Sequence, residues 1–456
     1  MNKRNYAEAL RGAKTMISEL LSLSRSDSLL VVGCEDSSQE FEIISDAADK
    51  LKVACTCVAV PKRQQAKIQK YGDLPPILRS AMGRADGVLI VQPYQSELTP
   101  FRMTLLEHTV EYERNQRAAS MPDVRARHFC YADMRMNKLD ELCENLADAL
   151  LLTKSIEIIT SDHHKREHRL IAELGDTHPT IGGSKIPAGG WGNIPVGETF
   201  ILPKPRRAQG SVVVDGSLPG HVMSNGENVI LSIVGGKITK IEGSSGSVEQ
   251  KAISLFFKDG KIEIPKTQNA HVLCEIGFGT NARIKKCHGS PVFDEKIFGS
   301  VHVAFGRNTQ LGGKVTAKTH HDLVTMRPTV FFTNGTKKNR ILSSGRYTVP
   351  ESLLAPDWQL QPASKGMREQ LKKKSRCSFA EDGGLILEWH QSTGNNTTTR
   401  VGNIPTSILC GEVYRKIEIG MSIADLVAQF EPSREEVVRK CLSLLVHYGA
   451  IYFGRP

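Results

Sequence analysis

Two six-residue apolar runs, Ser28-Leu-Leu-Val-Val-Gly33 and Gly87-Val-Leu-Ile-Val-Gln92, do most to limit what this chain can fold into. A strand with no polar face has nothing to offer water, so it must lie inside a sheet covered on both sides. Helical patterns surround the two runs. Leu10, Ala13, Met16, Ile17, Leu20 and Leu21 fall at helical spacing within residues 7–23, and further helices are expected at 39–51 and 139–152, with a strand at 53–60. This βαβ rhythm predicts an α/β lobe over residues 1–152 with a mostly parallel, open sheet. No Gly-x-Gly-x-x-Gly follows the first strand, so a dinucleotide fingerprint is missing.

The texture changes near Ser155. Over residues 153–335 the apolar runs are short and the turns carry glycine pairs, among them Gly182-Gly183, Gly189-Gly190, Gly235-Gly236 and Gly312-Gly313. Helical periodicity survives only near 248–256, so this stretch predicts a β-rich lobe. Residues 336–376 are polar, contain Pro350, Pro356 and Pro362, and close on Lys372-Lys373-Lys374, which together read as a linker. The tail, 377–456, regains pattern. A strand is expected at 384–390, helices at 404–414 and 422–430, a helix opened by Ser433 with Glu436 in a capping box, and a closing strand at 450–453. That is a small α+β module.

At 456 residues the chain is long enough for about three domains. With 40% hydrophobic and 24% charged residues it can bury sizeable cores. The formal charge of +10 does not point to nucleic acid, because Lys and Arg are scattered and no aromatic–basic repeat accompanies the lysine run. The ten cysteines form no Cys-x-x-Cys, and stretches such as Val53-Ala-Cys55-Thr-Cys57-Val58 read as small buried thiols in a reducing compartment. No apolar run reaches the roughly 18 residues of a membrane span, and no signal-type segment follows the start. A cytoplasmic protein with no membrane partner is the expectation.

The chemistry gathers in the β-rich lobe. Gly299-Ser-Val-His302-Val-Ala-Phe305-Gly306 is a β-branched run between glycines, hence a strand, with His302 on the face of Ser300 and Ala304. In Thr319-His320-His321-Asp322-Leu-Val324 an extended chain sends His320 and Asp322 to one face and His321 to the other. Two histidines and an aspartate with open positions are the ligand set of mononuclear non-haem iron enzymes, and they also suit zinc. Glu198 and Glu275 sit in apolar surroundings, where a carboxylate is costly unless it is paired, for instance with Lys296, or bound to a cation.

Six blocks in order carry a resemblance. They are Gly190-Trp-Gly-Asn-Ile-Pro-Val-Gly-Glu-Thr-Phe-Ile-Leu-Pro203, Cys274-Glu-Ile-Gly-Phe-Gly-Thr-Asn281, Phe293-Asp-Glu-Lys296, Gly299-Ser-Val-His-Val-Ala-Phe-Gly306, Leu311-Gly-Gly313 and His320-His-Asp322. Over about residues 5–335 the chain resembles the superfamily of aminopeptidase T-like metallopeptidases and 2,5-dihydroxypyridine dioxygenase. That resemblance implies an α/β lobe followed by a β-rich metal lobe. Its peptidase branch implies metal ligands at Glu198, Glu275, His302, His320 and Asp322. It also implies a tyrosine seven residues after His302, where this chain has Thr309. Its dioxygenase branch implies one iron on the two histidines and the aspartate. The tail resembles winged-helix modules that bind leader peptides, although a packing or dimerisation appendage fits it equally.

Three functions follow as expectations. The first is a mononuclear iron oxygenase with Fe(II) on His302, His320 and Asp322, with Glu198 or Glu275 as acid/base or anchor, acting on a small aromatic or peptide-borne substrate. The second is a zinc- or cobalt-dependent aminopeptidase. The third is a non-catalytic peptide-binding protein whose tail recruits a leader or carrier peptide. A homodimer stays open.

Overall fold

The computed structural model describes residues 1–348 except 93–98, 112–115, 152, 176, 178, 184, 187–188 and 259. Beyond 348 it describes five strands, at 370–373, 377–379, 385–393, 396–404 and 451–454, and isolated positions at 416, 426, 428–430 and 438. The chain divides into two compact units. One comprises Met1–Asp140, Gly182–Val196 and Gln361–Pro456, and the other Glu141–Ile181 and Gly197–Leu360.

The first unit is built on a five-stranded parallel sheet. Its order runs Ala54–Ala59, Ser28–Gly33, Gly87–Gln92, Arg117–Pro122 and Trp191–Asn193. The two apolar runs are its inner strands, and Val31, Val32, Val88 and Ile90 are completely buried. The first helix, Lys3–Thr15, starts where the Asn2 side chain accepts the Asn5 N–H at 2.9 Å, and it continues as a π turn through Leu20. The second, Ser38–Leu51, lays Ile43, Ile44, Ala47 and Ala48 into the core. Residues 182–196, read from the sequence as part of the β-rich lobe, supply the strand Trp191–Asn193 to this sheet instead.

The outer strand Ala54–Ala59 carries a correction. Cys55 and Cys57 are half-buried, not buried, while Cys34, Cys143 and Cys274 are buried as expected. An outer strand packs on fewer sides than an inner one, so an apolar run does not guarantee enclosure.

The second unit joins two antiparallel sheets. The eight-stranded one runs Lys237–Gly243, Val229–Val234, Pro203–Val214, Glu167–Leu174, Ser155–Ser161, Thr329–Asn334, Lys337–Ser343 and Arg346–Tyr347. The seven-stranded one runs His221–Val222, Ser217–Leu218, His320–Thr325, Val301–Gly306, Leu273–Gly279, Glu198–Ile201 and Thr180–Gly182. Ile158, Leu170, Val212 and Leu231 from the first sheet share a core with Ile276, Phe278, Val303, Phe305 and Leu323 from the second. Burying each such side chain contributes roughly 2 kcal/mol. Because strands alternate, these apolar residues leave the other face of the seven-stranded sheet to the polar ones.

Residues 337–347, expected at the start of a linker, are the outer strands of the eight-stranded sheet. The alternation of Lys337-Lys-Asn-Arg340 reflects an exposed face, and Ile341 and Leu342 anchor the strand in the core. Lys372 and Lys373 lie in the strand Gln370–Lys373, which pairs with Ile451–Gly454. The expected strand at 384–390 is observed as Leu385–Thr393. Of the helices expected between 404 and 448 only isolated positions are among the described residues, and Ile404 ends the strand Asn396–Ile404. No helix among the described residues is long and apolar enough to cross a membrane.

Candidate metal centre

The central strands of the seven-stranded sheet set the site. In their antiparallel register Gly277 faces His302, Glu275 faces Ala304, Ala304 faces Asp322, Gly306 faces His320 and Gly279 faces Glu198. Cross-strand partners share a face, so His302, His320, Asp322, Glu275 and Glu198 all project to the same side. Small residues alternate with the large polar ones and make room for them. Gly277 is the clearest case, because a methyl group there would lie 2.0 Å from His302 Cε1. The imidazole lies over that glycine and is completely buried. His321 lies on the opposite face, with its ring 5.8 Å from that of Phe256.

Both histidines are oriented from behind. His302 Nδ1–H donates to the Glu295 carbonyl at 3.2 Å, and His320 Nδ1–H donates to the Arg307 carbonyl at 2.7 Å. In a neutral ring that leaves Nε2 as a bare lone pair. Yet His302 Nε2 lies 3.1 Å from Glu275 Oε1 and 3.9 Å from Glu198 Oε2. His320 Nε2 lies 3.3 Å from Asp322 Oδ1 and 3.6 Å from Glu275 Oε2. Lone pairs facing carboxylate oxygens are stable only with a proton or a cation between them. Histidines held through Nδ1 by a backbone carbonyl are also the usual arrangement behind a metal.

Two residues outside the expected set complete the cluster. Lys296 pairs with Glu198 at 3.2 Å and with Glu295 in a short contact, and its side chain is only 1% exposed. Glu295 was missed as a site residue. It follows the short helical turn Pro291–Asp294, within the Phe293-Asp-Glu-Lys296 block, and consecutive opposite charges beside buried Phe293 and Ile297 were the available signal. The alternative pairing foreseen for the carboxylates is therefore present for Glu198 with Lys296, while Glu275 faces the two histidines.

Among the described residues, the ligand atoms of Glu198, Glu295 and His302 lie within 4.8 Å of one another, as do those of Glu275, His320 and Asp322. Carboxylate oxygens and imidazole nitrogens are thus buried together, with the Lys296 ammonium against Glu198 and Glu295. Buried carboxylates with imidazole Nε2 atoms beside them are a donor set that fits a divalent cation.

The protonation preferences have the same origin. Burial opposes charge on His302, but its contact with Glu275 and the charges of Asp322 and Glu198 outweigh that and raise its pKa. His320 is likewise opposed by burial and raised well above the usual value by Asp322. Burial pushes Glu275 up, against the pull of the two histidines. Burial also acts to raise Asp322, but the charge of His320 wins and holds it low. Cys274, whose Sγ lies 3.7 Å from His320 Nδ1, is pushed up to about 11 by burial. The Gly312-Gly313 turn is shaped by Asn308, which donates to the Cys274 carbonyl and accepts the Val315 N–H, both at 2.9 Å.

The buried His/Glu/Asp cluster lies on the face of the seven-stranded sheet opposite the shared core and has the donor types of a metal site. The family model of the thermophilic metalloproteases (M29) matches residues 144–322, a span that contains Glu198, Glu275, His302, His320 and Asp322. The 2,5-dihydroxypyridine dioxygenase of Pseudomonas putida KT2440 is similar in structure, with a TM-score of 0.55 at 18% identity, covering 75% of this chain and 98% of the dioxygenase. Wild-type AmpT of Thermus thermophilus gives a TM-score of 0.50 at 13% identity, covering 76% and 100%. At these identities the two structures show a shared fold. No curated protein matches the chain significantly by sequence. Over residues 144–322 the chain is thus similar to the M29 metalloproteases, and over about three quarters of its length it shares the fold of the two solved structures.

Proposed function

We propose that the β-rich lobe holds one metal ion on His302, His320 and Asp322, and that the chain is an Fe(II)-dependent oxygenase of a small aromatic or peptide-borne substrate. The observation that carries this reading is Lys296. Its ammonium already serves as the cation for Glu198 and Glu295, leaving the histidines, Asp322 and Glu275 to share one ion. Thr309, where the peptidase branch has a tyrosine, points the same way. Fe(II) bound on two histidines and one carboxylate would supply redox chemistry toward O₂ with coordination positions left open.

The chain's own groups have separate tasks in this reading. The Glu295 and Arg307 carbonyls fix the tautomers, so each Nε2 stays available. Glu275, with one oxygen toward each histidine, would accept a proton from a substrate hydroxyl. Glu198, held by Lys296, would anchor a donor group of the substrate. Residues 377–456 would present a leader or carrier peptide if the substrate is peptide-borne.

One observation favours an aminopeptidase instead. Glu275 offers one oxygen to each histidine, as a carboxylate bridging two metal ions does. Oxygen-electrode assays with hydroxylated aromatic acids and Fe(II), run beside anaerobic dipeptide assays with zinc or cobalt, separate the two. The oxygenase reading expects O₂ consumption tied to substrate loss and negligible dipeptide cleavage. Anaerobic release of amino acids, restored by zinc or cobalt, would replace it with the peptidase reading.

A further inference from the structure

Ser211, His168 and Asp162 take no part in the metal site, and they meet at one end of the eight-stranded sheet. Asp162 follows the strand Ser155–Ser161, His168 opens Glu167–Leu174, and Ser211 lies in Pro203–Val214. Ser211 Oγ is 3.1 Å from His168 Nδ1. The other ring nitrogen, Nε2, is 3.5 Å from Asp162 Oδ2 and has no other polar partner. The Asp162 side chain is fully buried and anchored, because it accepts the N–H groups of His164 and Arg166 and the Arg166 side chain. The His168 side chain is 17% exposed and Ser211 is half-buried, so solvent reaches both.

Gly210 makes the meeting possible. Its φ of +119° lies in the left-handed range, and a methyl group there would lie 2.0 Å from the Arg169 carbonyl oxygen. The two strands therefore approach closely one residue before Ser211 and one residue after His168.

We infer that Ser211 is a nucleophile, with His168 as its general base and Asp162 as the group that orients His168, in a second reactive site that accepts acyl groups from small activated esters.

The order of the three groups sets their parts. A carboxylate facing Nε2 keeps the ring's proton on that nitrogen and leaves the Nδ1 lone pair toward the hydroxyl. Burial opposes the charge of Asp162, but Arg166 outweighs it, so a carboxylate is at hand to steady the imidazolium. Contacts of this kind are often long in the resting protein and tighten during reaction. Ser211 Oγ attacks the ester carbonyl carbon while its proton passes to His168 Nδ1. The carbon–oxygen bond to the leaving alkoxide then breaks, and the alkoxide takes that proton. Water attacks the acyl-serine in the same way, giving a carboxylic acid and restoring Ser211.

The test treats the folded, full-length protein with a fluorophosphonate, with and without a chelator that silences the metal centre, and maps adducts by mass spectrometry. Phosphorus stands where the acyl carbon would, fluoride leaves, and the adduct is stable. The expected result is labelling of Ser211 about tenfold or more faster than of any other serine, with or without chelator, and rising with pH through the imidazole range. His168→Gln should slow labelling by a similar factor and flatten that pH profile. Ser211→Ala, which removes one oxygen, should lose this adduct alone. Ser211 labelled no faster than other serines, labelling that vanishes with the chelator, or a folded His168→Gln labelled at the wild-type rate overturns the inference. Should His168→Gln fail to fold, a wild-type rate that is flat through the imidazole range overturns it equally.

Discussion

Gly277 and His302 face each other across two strands, and the imidazole occupies the volume that a side chain at 277 would need. Gly277→Ala should therefore leave the strand formed but drive the His302 ring out of line with Glu275. The expected outcome is a loss of metal affinity of at least tenfold with a far-ultraviolet circular dichroism spectrum like that of the wild type. Retained metal binding would show that the ring has room the packing does not give it.

The two neighbouring histidines of the His320 strand should behave oppositely. His320→Ala and His302→Ala each remove an Nε2 from the cluster and should abolish metal binding at micromolar metal. His321→Ala removes a ring packed on Phe256 and should cost about 1–3 kcal/mol of stability with metal content unchanged. Isothermal titration of the three purified variants distinguishes these cases. Loss of metal in His321→Ala alone would mean that the strand's faces are assigned in reverse.

Much of this site is legible in the amino-acid order alone. Strand alternation places His320 with Asp322, and small residues on the face of His302 leave it space. The buried runs at 28–33 and 87–92 likewise announce a parallel sheet. What the sequence hides is long-range. Residues 182–196 reach the parallel sheet through pairing with Arg117–Pro122, a partner some seventy residues earlier that no local pattern encodes. Glu295 escapes notice because a carboxylate next to a lysine looks like a solvated pair, and only its burial gives it weight. The strands at 337–347 read as linker because an outer strand with one wet face has the composition of a loop.

Lys296 gives a prediction specific to the single-metal account. Lys296→Ala leaves Glu198 and Glu295 buried without their ammonium, a loss of about 3–5 kcal/mol by analogy with other broken buried pairs. In metal-free buffer its melting temperature should fall well below that of the wild type. Excess zinc should restore a large part of the difference by occupying the vacated position, and should do so far less for Lys296→Arg. If zinc leaves the Lys296→Ala melting temperature unmoved, Glu198 and Glu295 do not make a latent cation site.

Asp162 provides a pH test remote from the metal. It closes the hairpin between Ser155–Ser161 and Glu167–Leu174 by accepting the N–H groups of His164 and Arg166, each at 2.9 Å, and the Arg166 side chain at 2.7 Å. Burial acts to raise this carboxyl, but the hydrogen bonds and charge of Arg166 outweigh it and hold it well below the usual range. A carboxyl depressed in the folded state stabilises the protein above its unfolded pKa, about 4, and loses that effect as pH falls through the folded value. Asp162→Asn should therefore lower the melting temperature at pH 7, by the equivalent of about 1–2 kcal/mol. The gap to wild type should narrow as the pH is taken from about 5 to 3. A gap independent of pH would assign the effect to packing.

The most direct test of the central claim is the metal content of the chain, purified without oxygen and then titrated with Fe(II). The single-metal account predicts saturation at one iron per chain in the wild type, with none retained by His302→Ala or His320→Ala. Two tightly bound ions per wild-type chain, or none, would contradict it.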